Sequence, residues 1–459
     1  MKLIRPKHIN DSYLISSNVT EADYAAYNAG TTYADGDKVI VVSPSATVTM
    51  TIASPCVITW TAHGLVDDDI VIFTTTGALP TGVTAGQHYY VRVLTSNTFN
   101  VSEKQLNFLE ITTSGTQSGT HTGAISSHKI YESLQAGNVG NTPRLSPTWW
   151  LDTGNTNRWR MFDASISSRT INADSIAITL MPTGRCDSLA LLNIAAATAR
   201  FRMTDSLSGT TVTMTIASPC VVTHTGHTKA NGDMVRFSTT GALPTGIVAD
   251  TTYYIVNSAT DIYEISETSG GASIDTSGTQ SGTHTEKEIV YDSTYSLVSD
   301  SGIDNWYSYF YEDIIRSREI LELEMPHLSS PILDVTLSDT GNLVGCGACI
   351  IGSRFDIGGT QYGVRTGIQD YSVKIRDNFG NYVTLERAFS KQAEFTVWVN
   401  SGKTNYVQDT LSDYRVFPIV YIGDESYSNT IVYGFYKDFS IEITQPSVSL
   451  CSITIEGLT

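Results

Sequence analysis

The sequence predicts an all-β, multidomain protein. It reads as β-sandwich or jelly-roll domains, with two copies of a small β domain inserted into hairpin loops of their hosts. Three observations carry this reading. First, 41% of residues are hydrophobic but only 16% are charged, below the ~25% charged share of ordinary globular domains. Thr, Ser, Gly and Tyr fill the gap, and β-branched and aromatic side chains suit a pleated, half-buried surface. Second, short apolar runs alternate with period two, as in Val48-Thr-Met-Thr-Ile52, the pattern of a half-buried strand. Third, one segment occurs twice. Residues 47–56 recur letter for letter as 211–220, residues 75–82 as 239–246, and residues 114–122 as 277–285. Unrelated sequence separates the copies, so this is not a solenoid of abutting repeats.

Within each copy, turn residues punctuate short strands. The first copy gives strands at 48–52, 70–73, 88–93 and 98–101, and a closing segment at 116–122 that can pair with the first strand. The second copy follows the same grammar at 234–237, 253–256 and 262–265. Such spacing predicts a small barrel or sandwich. If first and last strands pair, both ends lie side by side, and the domain can enter a host loop at little cost. Excising each copy joins flanks that read as hairpins: residues 31–41 with 128–134, and 199–205 with 288–292.

The domain plan follows. Residues 1–44 and 124–152 form a discontinuous N-terminal module, interrupted by the first copy at 45–123. Residues 153–207 and 287–355 form a jelly roll, interrupted by the second copy at 208–286. Residues 356–459 form a C-terminal β domain, either a second sandwich or a partner layer for the jelly roll. It includes a turn at 377–380 and a closing strand at 449–456.

Charge narrows the partners. The chain carries 28 Lys and Arg against 46 Asp and Glu, a formal charge of −18. That field repels polyanions, so nucleic acid is not expected as a partner, and no local basic cluster is apparent. No apolar run approaches a spanning length, so membrane insertion is not expected. The N-terminus lacks the apolar centre of a signal peptide. Cysteine is sparse. Cys346 and Cys349 have the spacing of half a zinc site, but no second pair accompanies them, and they lie in a strand-like run. They read as buried small hydrophobes.

The N-terminal host carries a resemblance. Its order is Tyr27, Tyr33, Gly36-Asp37, Val39, then Tyr131, Gly137-Asn138, Pro143 and Trp149-Trp150. This resembles the small chitin-binding modules of type 5/12. The resemblance implies carbohydrate binding through aromatic faces at Tyr27, Tyr33, Tyr131, Trp149 and Trp150. The competing reading makes the same rings the mini-core of a very small domain. The segments at 187–194, 305–311, 319–325 and 331–337, closed by a glycine-rich strand at 344–352, resemble a galactose-binding-like jelly roll. The repeated phrases, with residues 156–163, 370–372 and 434–439, resemble tail and baseplate proteins of tailed bacteriophages.

The chemistry-bearing motifs are weak. His63 and His227, and His121 and His284, are equivalents in the two copies, so duplication explains their pairing. Asp67-Asp-Asp69 lacks the glycine and distal glutamate of a calcium loop. No nucleophile elbow, phosphate loop or zinc-protease motif occurs. The expectation is therefore a non-enzymatic structural component of a phage tail or baseplate, located in the virion. Catalytic and metal-ligating residues and cofactors are not expected. Its expected partners are other tail proteins, further copies of itself and bacterial surface polysaccharide. The alternatives are a receptor-binding adhesin for surface glycans and a polysaccharide-degrading enzyme with binding modules.

Overall fold

A computed structural model of the chain describes residues 1–299, 305–311, 315–376, 379–443 and 445–458. Strands dominate, and the longest described helix is Thr404–Asp413. The chain is all-β.

Two antiparallel layers face each other. One orders Leu14–Ser17, Thr170–Leu180, Pro331–Cys346, Thr198–Asp205 and the C-terminal half of His284–Ser296. The other sets Glu319–Glu322, Ser188–Leu192 and Ala348–Asp356 side by side. Their inward residues alternate with outward polar ones, as in Thr198–Asp205. Phe201, Leu333 and Val335 from one layer meet Leu189, Leu191 and Ile351 from the other in one core. The expected closing strand at 344–352 is split between layers. The chain leaves one sheet after Cys346 and enters the other at Ala348.

The N-terminal strand Lys2–Pro6 departs from expectation. It was grouped with the N-terminal module, yet it pairs with Ala348–Asp356 on one side and Ile419–Ile422 on the other. Leu14–Ser17 likewise joins Thr170–Leu180. The physical reason is two-sided burial. Leu3 and Ile4 are both fully buried and lie in different cores, as successive strand residues point to opposite faces. A small three-stranded sheet cannot cover both. Gly352 sits where a Cβ would come within 1.9 Å of the Arg5 carbonyl oxygen, so the close approach of these strands requires glycine.

Beyond that strand the same sheet continues through Ile419–Ile422, Ile431–Glu442, Val448–Gly457 and Phe389–Asn400. The C-terminal region is therefore an extension of one sandwich layer. Its core gathers Leu3, Phe355, Phe395, Val397, Tyr421 and Ile453 beneath Thr404–Asp413. That helix was not anticipated. It buries Val407 and Leu411, spaced i, i+4 on one helical face. Residues 365–376 form two strands, Arg365–Asp370 and Val373–Arg376. The first half of the expected turn at 377–380 lies outside the described residues.

Each repeat copy forms a ring of six strands. In the first, Ser45–Met50, Ile58–Thr59, Thr98–Ser102, His88–Thr95, Ile70–Thr75 and His121–Ile125 close into a barrel. The first and last strands pair, Thr47 opposite Thr122. The second copy closes identically, Thr211 opposite Thr285. Both barrels sit within hairpins of their surroundings. Val42 pairs with His128 across the base of the first, and Thr204 with Ile289 across the base of the second. Barrel two meets the sandwich through its buried Arg236, which forms an ion pair with Asp334.

Removal of residues 48–123 should leave the remaining chain soluble and cooperatively folded. Removal of residues 212–285 should do the same, because Asp334 then faces water where Arg236 stood and keeps its hydrogen bond from Thr179 Oγ1 at 2.8 Å. Chemical denaturation followed by near-UV circular dichroism checks both, and insolubility of the first deletion would contradict the insertion reading.

Candidate functional site

The five aromatics named from the sequence do come together. Tyr131 and Trp150 lie on the three-stranded sheet of Lys38–Val42, His128–Ser133 and Trp150–Asn155, and Tyr27, Tyr33 and Trp149 flank it. Tyr33, Tyr131 and Trp150 are buried with Val39, and Tyr27 and Trp149 pack half-buried against them. Tyr27 stacks on Tyr33 at 6.0 Å, and Trp150 meets both edge-on at 5.9 and 5.1 Å. Trp150 Nε1 donates to the Asn141 carbonyl at 2.8 Å. The rings thus spend most of their faces on one another as the core of this module. Tyr24, unnamed by the sequence reading, is 42% exposed, with Lys38 Nζ 5.9 Å from its ring centroid.

The paired histidines hold local structure. His63 Nε2 lies 2.9 Å from the Thr95 carbonyl, and its Nδ1 accepts from Leu65 N. His121 and His284 each bridge a threonine and a glutamine of their own barrel. Asp69 accepts from Val66 N and pairs with Arg144, tying barrel one to the N-terminal module. Cys346 and Cys349 are buried in the sandwich core, and burial pushes the Cys346 thiol up to about 12. Among the described residues, no group of three or more His, Cys, Asp or Glu is placed to hold a metal ion.

A cleft of about 940 Å³ opens where barrel one, the N-terminal segment and the sandwich meet. Six cations line it: Arg5, Lys7, Lys104, Lys129, Arg144 and Arg185. Only Asp69, Glu103 and Asp163 oppose them on its walls. This corrects the expectation of no basic cluster. The cations come from separate stretches of chain, and only folding gathers them. One signal was nevertheless readable, since Lys2, Arg5, Lys7 and His8 crowd the first eight residues. Lys129 pairs with Asp152, Arg144 with Asp69 and Arg185 with Asp187. Arg5, Lys7 and Lys104 form no ion pair among the described residues, and the buried Arg5 Nε has no hydrogen-bond acceptor.

The surrounding protein, and secondarily His88, push the His8 imidazole down to about 4 although solvent reaches it from the cleft. Burial, followed by Lys7, likewise lowers His88, and burial holds the Lys7 ammonium below its ordinary value. Tyr13 meets His88 edge-on at 4.8 Å and shares a 2.9 Å hydrogen bond with Thr183. The floor of the cleft thus offers imidazoles and phenols beside cations that have no ion-pair partner among the described residues.

At its rim, His128 stands between two carboxylates. Its Nε2 lies 2.7 Å from Asp11 and its Nδ1 2.9 Å from Glu21. Trp159 stacks on the ring at 4.2 Å. Burial opposes the charged imidazole, but Asp11 and Glu21 together outweigh it and raise the His128 pKa. Burial also opposes ionisation of the two carboxyls, but His128 with Ser43 and Ser126 at Asp11, and with Thr156 and Arg158 at Glu21, together outweigh it and lower both. Asp11 accepts from Ser43 as well, at 3.0 Å. Ser43 leaves toward barrel one and His128 returns from it, so the cluster clamps the barrel's neck to the sandwich.

The barrels differ most in their interiors. Barrel one packs Trp60, Leu65 and Phe99 together. A Cβ at Gly123 would press within 3.0 Å of Trp60 and Val48. At the equivalent positions barrel two has His224, Lys229, Tyr263 and Glu286. Glu286 is 3% exposed. It accepts from Tyr263 Oη at 2.5 Å and lies 2.6 Å from His224 Nδ1, with Lys229 Nζ at 3.9 Å. An apolar cluster over a glycine has become a hydrogen-bonded ionic one over a glutamate.

No family model matches the chain, and no curated protein is similar to it.

The contribution of His128 is fully present below its unfolded pKa near 6.5 and is lost as pH rises through its raised folded value. Those of Asp11 and Glu21 are present above 3.8 and 4.5 and are lost as pH falls through their depressed values. The clamp is therefore strongest at mildly acidic pH. His128→Ala should cost about 2 kcal/mol at pH 6 and flatten the fall in stability toward alkaline pH, read by denaturation across a pH series. In barrel two, Glu286→Ala strands a buried phenol and imidazole and should cost about 3 kcal/mol. His224→Trp combined with Glu286→Gly should be more stable than either single change, by a coupling of ~1–3 kcal/mol. Additive losses in thermal unfolding would contradict the coupled exchange.

Proposed function

We propose that the protein is a non-enzymatic structural component of a bacteriophage tail or baseplate that displays two barrels and contacts the host surface. The observation that carries this reading is the way the barrels are held. Each closes on itself through its first and last strands, and each occupies the tip of a hairpin from a larger β framework. That is the arrangement of a scaffold bearing appended surfaces, since loop tips tolerate insertion and carry contacts outward. The resemblance of the repeated phrases to phage tail modules supplies the setting. Other tail proteins and further copies of this chain are its proposed partners, and the virion its location.

The adhesin reading draws support from the cationic cleft, which has the size range of a ligand site. In that reading surface polysaccharide is the ligand, and the half-buried rings Tyr27 and Trp149 are secondary contacts.

Antibodies against barrel one should decorate the tails of purified phage particles in electron micrographs, and mass spectrometry of those particles should find the chain at fixed stoichiometry. Its absence from washed particles would refute the virion assignment. Incubation of the purified protein with capsule or lipopolysaccharide should release no reducing sugar.

A further inference from the structure

We propose that the cleft between barrel one and the sandwich binds a short acidic oligosaccharide, with Arg5, Lys7 and Lys104 receiving its carboxylate groups. This deepens the host-contact part of the function above, and it needs no assignment of the chain to a particular particle.

Three arguments lead to it. The first is uncompensated charge. In a chain with 46 acidic residues, three cations converge on one cleft with no carboxylate partner among the described residues. Among the described residues, Lys7 offers its ammonium only to a backbone carbonyl, that of Thr183. Arg5 leaves a buried Nε–H unused. A buried donor without an acceptor is costly, but this Nε–H is enclosed and the guanidinium carbon lies 5.4 Å from the Phe355 ring centroid, so it is the remainder of the part-exposed guanidinium that meets an anion in the cleft. Charge-assisted bonds to carboxylate are the stronger class of hydrogen bond.

The second is the uncharged part of the lining. His8, His88, Tyr13 and Tyr90 bring imidazole and phenol groups to the same walls. Neutral imidazole both donates and accepts, and a phenol does the same. Such groups suit the hydroxyls of a sugar, while the ring faces suit its C–H surfaces. A bare inorganic anion would use their donors, but neither their acceptors nor their ring faces. The space, about 940 Å³, lies near the upper end of the ~300–1,000 Å³ of small-ligand sites and admits more than one ring.

The third is the field of the whole molecule. The net charge of −18 acts at long range against a polymer carrying a charge on every unit. The local cations act within about a Debye length, ~8–10 Å. The combination favours a ligand with one or a few carboxylates spaced by neutral sugars over nucleic acid.

Isothermal titration calorimetry of the full chain tests this with four probes: trigalacturonate, a neutral galactose trisaccharide, inorganic phosphate and a short oligothymidylate. Trigalacturonate should bind, weaken as salt rises, and lose up to about fivefold in affinity for each of Lys7→Gln and Lys104→Gln. Lys104 is exposed, so its replacement leaves the fold intact, verified by an unchanged melting temperature. The neutral trisaccharide should bind at least tenfold more weakly. No binding of trigalacturonate at millimolar concentration overturns the proposal. So does equal binding of the neutral sugar, equal binding of phosphate alone, tighter binding of the oligonucleotide, or indifference to Lys104→Gln. Any of these, with the chain still found on phage tails, removes the cleft inference and leaves the structural function standing.

Discussion

The architecture depends on one strand being sandwiched between two distant partners. Lys2–Pro6 hydrogen-bonds to Ala348–Asp356 along one edge and to Ile419–Ile422 along the other. Without it, the jelly-roll layer and the C-terminal strands are two sheets with bare edges, each inviting association. With it, they are one sheet with cores on both faces, Leu3 in one and Ile4 in the other. The same chain segment then runs on as Lys7, His8 and Ile9 along the cleft. The strand that joins the framework therefore also fixes the position of the cationic wall. Gly352 shows how tight the join is, since no side chain fits beneath the Arg5 carbonyl.

Duplication has left a controlled comparison inside one molecule. The two barrels share ring order, register and the hydrogen bonds of their paired histidines. What changed is a set of mutually dependent residues. Trp60 needs Gly123 because the indole occupies the space a side chain would take. Glu286 needs His224 and Tyr263 because a buried carboxylate needs donors. Each set is complementary within itself, a glycine beneath an indole in one and a carboxylate among donors in the other. On their outer faces the barrels also differ. Arg236 and Lys287 of barrel two stand where barrel one has Ile72 and Ala124. Arg236 reaches Asp334 of the sandwich, whereas barrel one is held through Asp69 and Arg144. One fold has been docked by two electrostatic solutions.

Local patterns were legible in the sequence, and long-range closures were not. Alternation gave the barrel strands, and identity of the copies gave their boundaries, because both are properties of short segments. The hairpins at Val42 and His128, and at Thr204 and Ile289, emerged once the copies were set aside. The pairing of residues 2–6 with residues 352–356 left no such trace, since a five-residue strand with only Leu3 and Ile4 fully buried fits many sheets. Nor did the helix Thr404–Asp413 announce itself. Only Val407, Thr410 and Leu411 of its ten residues are buried, too few to mark a period. Tyr33, Tyr131 and Trp150 were found as a set, but sequence order cannot say whether a ring faces solvent or its neighbours. In so small a module they face one another, because a three-stranded sheet has few other apolar groups to bury.

The cleft illustrates why composition and site can point in opposite directions. Averaged over the chain, charge is strongly negative, and that average governs approach from a distance. Within the cleft, the charge that matters is the handful of groups inside one screening length. Folding selects these from residues 5–7, 104, 129, 144 and 185, and the acidic residues nearest to three of them are already engaged in ion pairs. The acids thereby fix the scaffold in place and stop competing for an incoming anion, while Arg5, Lys7 and Lys104 keep their charge available. An acidic protein can in this way carry a selective anion site, because its surplus carboxylates elsewhere turn away heavily charged polymers and leave sparsely charged ligands to enter.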